Sequence, residues 1–164
     1  MRSVLLFLTL LAACQAAPIV RNLKDSQLSF LRVAPTGNSV LYASPSTLDQ
    51  PTLGVRTVNI RGSASAEGLT QAITVILYAR AADPASACTA IGTLYRCEAA
   101  LETPISAALT FSPAAPDVSL SLSSPILVEA VNLGKVWLGL RVVAGAGEKV
   151  TVWFRGMRAV VTLL

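Results

Sequence analysis

The chain has no histidine. That absence excludes a Ser-His-Asp triad, a Cys-His dyad, and zinc or copper sites built on imidazole. It also removes the commonest general base near neutral pH. Charged residues make up only 13% of the chain, and the nine carboxylates carry no sequence signature of the facing pair a glycosidase needs, a pair that can be distant in sequence. No S-x-x-K, EF-hand loop or P-loop occurs. Gly62-Ser63-Ala64-Ser65-Ala66 is not a G-x-S-x-G elbow and falls inside a strand pattern. Aromatic residues are only 5%, too few for the two aromatic girdles of a membrane barrel. No apolar run approaches the ~20 residues of a spanning helix. The chain therefore reads as non-catalytic, with no catalytic residue, cofactor or metal site to name.

The net charge is +4. The arginines that carry it, among them Arg56, Arg61, Arg80, Arg96, Arg141, Arg155 and Arg158, are dispersed. They form no block resembling a nucleic-acid patch and read as a solvated face. Glu98 and Glu102 could share one helical face, but two carboxylates supply few oxygens for a cation and read as solvated.

The amino terminus is more specific. Met1-Arg2-Ser3 carries a basic side chain, a short apolar run from Val4 to Ala13 follows, and Leu11-Ala12-Ala13-Cys14 closes it. The run has the length of a signal h-region. The arrangement resembles a bacterial lipoprotein signal with its lipobox. The resemblance covers only this segment, and the remainder of the chain is assigned to no family. It implies that residues 1–13 are removed and that Cys14 becomes an acylated N-terminus held in a membrane. Two or three acyl chains anchor stably, since each buried CH₂ contributes ~0.8 kcal/mol. Gln15 follows where inner-membrane lipoproteins carry Asp, which points to the outer membrane of the cell envelope. An ordinary secretory signal cut after Ala16 is the alternative, and it would discard Cys14.

Export leaves Cys88 and Cys97 to pair in an oxidising compartment. Their spacing is not C-x-x-C, so the expected bond is structural rather than redox-active. Closing so short a loop stabilises by ~2.5–3 kcal/mol. The bond should staple a loop or hairpin tip.

Residues 14–27 read as the lipidated N-terminus and a tether, and residues 28–164 as one domain. Period-two alternation dominates that domain. Val58, Ile60, Gly62, Ala64 and Ala66 alternate with Ser, Thr, Asn and Arg, and Gly68 ends the run. Ile73, Val75, Leu77 and Ala79 share the face of a second strand. Ile105 to Phe111 alternates, and so, most cleanly, do Val118, Leu120 and Leu122 with serines. Ile126 to Val131 reads as a further strand, and Glu98 to Glu102 as the one turn of helix. About eight to ten short strands with polar turns indicate an all-β, antiparallel β-sandwich of jelly-roll or immunoglobulin-like topology.

The last two strands read as a hairpin joined by Ala144-Gly-Ala-Gly-Glu148. Gly156 marks a possible bulge. With a turn centred on Ala146, Trp137 would face Arg155 and Trp153 would face Gly139, with Arg141 on the same side. Trp137, Arg141, Trp153 and Arg155 then form a candidate ligand platform. Indoles stack on apolar sugar faces and guanidinium groups bind hydroxyls or carboxylates. The same four residues would otherwise serve to stabilise or bury the hairpin.

The function expected from these features is a membrane-anchored envelope lipoprotein acting as a binding or interaction module for a polysaccharide or an envelope protein. A purely structural subunit of an envelope assembly is the alternative.

Overall fold

A computed structural model describes residues 18–48 and 54–163. Cys14 and the signal segment lie outside the described residues. The fold is an antiparallel β-sandwich of two sheets, as the alternation indicates, with one short helix.

The first sheet has five strands. β1 (Ile19–Asn22) and β2 (Ser26–Val33) pair one after the other along the same long strand, β12 (Gly147–Leu163). β12 pairs on its other side with β5 (Val55–Glu67), and β10 (Asp117–Leu122) completes the sheet beside β5. The second sheet contains β7 (Thr89–Ile91), β8 (Leu94–Glu98), β3 (Ser39–Tyr42), β11 (Lys135–Ala144), β6 (Ile73–Arg80) and β9 (Leu109–Phe111) in that order. The two-residue β4 (Ser46–Thr47) joins its β11 strand.

The main core lies between the sheets and is built from the alternating positions. Ile60 and Ala64 of β5, Leu120 and Leu122 of β10, and Val152 and Phe154 of β12 pack from one side. Val75 and Leu77 of β6 and Leu138 and Leu140 of β11 pack from the other. Side chains of opposite parity face outward on each sheet, as the pleat requires.

Four sequence expectations need correction. Ile126 to Val131 is not a strand but most of a helix, α1 (Pro125–Asn132). Pro125 sits in its first turn, where proline's missing N–H costs nothing. Leu127, Ala130 and Val131 then bury one helical face, the i, i+3, i+4 pattern of a helix packed on a core. Gly134, at φ +70°, follows the helix and donates its amide to the Val131 carbonyl.

Part of the segment expected as a tether belongs to the sandwich, because Ile19–Asn22 is hydrogen-bonded to Arg158–Val161 as an edge strand and Ser26 and Gln27 already belong to β2. The strand expected from Ile105 begins only at Leu109, although the Ile105 amide does bond to the Leu77 carbonyl.

The fourth correction matters most for function. β11 and β12 do not pair with each other. β11 pairs with β3, β4 and β6, whereas β12 pairs with β1, β2 and β5. The connection between them crosses from one sheet to the other. Gly145 makes that crossing possible. Its φ is +88°, and a Cβ there would run into the Ala72 carbonyl and the Ile73 backbone.

Candidate functional site

The hairpin on which the Trp/Arg platform rests does not form, so the four residues separate into two pairs on different sheets. Trp137 and Arg141 project from the outer face of the seven-stranded sheet, where neither is free. Trp137 is only 7% exposed. It belongs to a second apolar cluster with Val40, Tyr42, Tyr78, Cys97 and Ala99. Tyr95 packs edge-on against it, with ring centres 5.9 Å apart. The Arg141 Nε–H donates to the Gly37 carbonyl at 2.9 Å and steadies the β2–β3 turn.

A glycine of β11 is indeed covered by an aromatic ring, but the ring is Tyr42, its cross-strand neighbour, and not Trp153. A Cβ on Gly139 would lie 2.6 Å from the Tyr42 ring, so only glycine lets the tyrosine lie flat there.

The disulfide covers this second cluster. Cys88 and Cys97 are bonded, and the loop between them is a hairpin of β7 and β8 turning at Gly92, as the spacing suggested. Arg80 lies against the bond, with Nη1 2.9 Å from the Cys88 sulfur, and is 3.6 Å from Glu102. The Tyr42 hydroxyl donates to Glu102 Oε2 at 2.7 Å. Burial, and then the hydrogen bond and charge of Glu102, push the Tyr42 phenol well above its ordinary pKa.

Glu98 and Glu102 do not act together. Glu98 is exposed, while Glu102 turns inward after the 3₁₀ turn Ala99–Leu101 to meet Arg80 and Tyr42. Cys88, Cys97 and Glu102 place their ligand atoms within 4.8 Å of one another. With both sulfurs in a disulfide, only the carboxylate remains a ligand, and Arg80 already neutralises it. This corner of the fold is structural.

Trp153 and Arg155 stay together on the outer face of the five-stranded sheet. The Arg155 guanidinium stacks over the indole at 4.7 Å from the ring centre, and its Nη2 reaches Glu67 Oε1 at 2.8 Å. The indole is half-buried. Among the described residues its Nε1–H has no hydrogen-bond partner, and neither has the hydroxyl of Ser65, the residue directly opposite on β5. The surrounding positions are polar. Gln27 flanks Trp153 on β2, and Ser63 and Ser119 form the next row beside Arg155. This face offers an aromatic ring, guanidinium groups and hydroxyls on a flat support. That chemistry suits a hydroxylated ligand held by stacking and hydrogen bonds.

Sequence reasoning missed one feature of this face. Arg61 and Arg158 are cross-strand partners on it. The signal for it was the bulge at Gly156. The register of β12 against β5 shifts between Arg155 and Arg158, and Gly156 has φ +58°. Without that extra residue, Met157 would stand opposite Arg61 and point outward. With it, Met157 is buried and Arg158 is exposed.

Among the described residues no helix is long and apolar enough to cross a membrane. The disulfide marks the chain as extracytoplasmic. No protein-family model, curated protein or solved structure matches the chain.

Proposed function

We propose that the chain is a non-catalytic binding module of the cell envelope, anchored through acylated Cys14, that holds a polysaccharide on the outer face of its five-stranded sheet. The observation that carries this reading is the stacked Trp153–Arg155 pair, half-exposed among serine and glutamine side chains. The two orphaned polar atoms beneath it, Trp153 Nε1 and Ser65 Oγ, strengthen it. A buried donor left without a partner costs ~1–3 kcal/mol, a cost relieved when the indole turns toward a hydroxylated ligand. The lack of histidine fits a module whose work is adhesion. The disulfide fits the oxidising compartment to which a lipoprotein signal would send it.

The test combines two measurements on protein extracted from membranes. Intact mass should show an N-terminus at Cys14 carrying acyl chains. An unmodified N-terminus beyond Cys14 overturns the anchor. Retention on immobilised envelope polysaccharide should be lost in Trp153→Ala with the fold intact. Retention equal to wild type overturns the platform.

A further inference from the structure

The outer face of the five-stranded sheet holds a charge arrangement that its own residues do not relieve. Arg61 of β5 and Arg158 of β12 stand directly opposite each other, and both are exposed. Like charges at such positions destabilise a sheet. The ion pairs among the described residues are Arg80–Glu102 and Arg155–Glu67, so among those residues neither Arg61 nor Arg158 has a carboxylate partner. Their outer cross-strand neighbours are the neutral Ser121 and Asn22. Asp25 is engaged with the Gly156 amide through Oδ1 at 2.9 Å.

Arg61 is also oriented. The Arg61 Nε–H donates to Asn59 Oδ1 at 3.1 Å, and the Asn59 amide lies 3.4 Å from the Ser121 hydroxyl. This leaves the two Nη groups of Arg61 open to a ligand. The bulge at Gly156 is what turns Arg158 outward to stand beside them. Two adjacent guanidinium groups with no counter-charge among the described residues form a fork for a planar or tetrahedral oxyanion.

Building on the polysaccharide reading above, we infer that Arg61 and Arg158 form an anion subsite that makes this face selective for an acidic polysaccharide. A carboxylate or phosphate group of that chain binds the arginine pair, and a neighbouring ring lies on Trp153. Ser65, beside Trp153, and Arg61 are four residues apart on β5, about 13 Å at ~3.3 Å per residue. The ligand is therefore a chain of linked rings and not a single sugar. Ser63 and Ser119, the row between the two sites, supply hydroxyl partners along that path, which a lipid headgroup does not need.

The test titrates the mature chain and the double variant Arg61→Gln/Arg158→Gln with three probes. These are a polyuronate oligosaccharide, a neutral glucan of equal length, and phosphatidylglycerol vesicles. Wild type should bind the polyuronate more tightly than the glucan and lose affinity as salt rises. The double variant should lose at least about tenfold toward the polyuronate, the effect of losing a charge-assisted hydrogen bond, and none toward the glucan. Its unfolding midpoint should equal or exceed that of wild type, because the like-charge contact is gone. Equal binding of both sugars by both proteins overturns the anion subsite and leaves the Trp153 platform standing. Charge-dependent binding to the vesicles without binding to the polyuronate also overturns it, by assigning the pair to a lipid headgroup. Binding to none of the probes overturns the subsite and the platform together.

Discussion

Trp137→Ala and Trp153→Ala should differ sharply in stability, and the difference can be worked from the structure. Trp137 is 7% exposed and packs into the cluster of Val40, Tyr42, Tyr78 and Cys97, with Tyr95 edge-on at 5.9 Å. Truncating a buried Trp to Ala costs ~3–5 kcal/mol through lost burial and the cavity left behind. Trp137 lies on the outer face of the sheet and not between the sheets, so the lower end, ~3 kcal/mol, applies. For a domain of this size that corresponds to roughly 10 °C in Tm. Trp153 is half-buried on the outer face of the other sheet, so truncation loses part of its burial together with the Arg155 contact, about 1.5 kcal/mol in all. Urea unfolding followed by far-ultraviolet circular dichroism avoids reliance on either indole as a probe. The midpoint of Trp137→Ala should fall well below that of Trp153→Ala at similar m-values. Equal losses would refute the separation of the two residues onto different sheets.

Three further predictions follow from the same contacts. Replacing both Cys88 and Cys97 by Ser should cost ~2.7 kcal/mol from loop closure alone, measured as a shift in urea midpoint; an unchanged midpoint would mean the bond constrains nothing. Tyr42 is raised in pKa in the folded chain, so its proton stays on while the unfolded chain ionises near its usual ~10. That contribution to stability is complete below the unfolded value and declines by up to ~1.4 kcal/mol per pH unit as the pH rises above it. Tyr42→Phe should therefore flatten the alkaline limb of a stability–pH curve, and an identical limb in both proteins would contradict this. Gly145→Ala combines a positive φ with a backbone collision and should cost ~2 kcal/mol or more in chemical denaturation. Gly37→Ala, at φ +59° in open space, should cost clearly less, and the reverse order would refute the tight sheet crossing.

Strand faces were legible in the sequence because alternation reports directly which side of a pleat is buried. Val118, Leu120 and Leu122 alternate with serines and form β10, and the Thr57 to Glu67 pattern forms most of β5. Strand partners were not legible. An Ala-Gly-Ala-Gly connection serves equally well for a hairpin and for a crossing between sheets. What decides is the fit of Gly145 against Ala72, a contact between residues distant in sequence. The platform inherited that ambiguity, so Trp153 and Arg155 stayed together as same-strand neighbours while Trp137 and Arg141 went to another sheet. The helix was obscured by Ile126, Val128 and Val131, β-branched residues that favour strands. The proline start at Pro125 and the spacing of Leu127, Ala130 and Val131 were the stronger signals. The Arg61–Arg158 pair needed a register that only the bulge supplies, which is why Gly156 could be noticed and its consequence missed.

The most direct test of the account is a two-dimensional NMR titration of the protein with a soluble acidic polysaccharide. The account predicts that shifts concentrate on Arg61, Ser63 and Ser65 of β5 and on Trp153, Arg155 and Arg158 of β12, with the Trp153 indole N–H among the largest. Shifts confined to the outer face of the seven-stranded sheet, around Trp137 and Arg141, or no shifts at saturating polysaccharide, would contradict it.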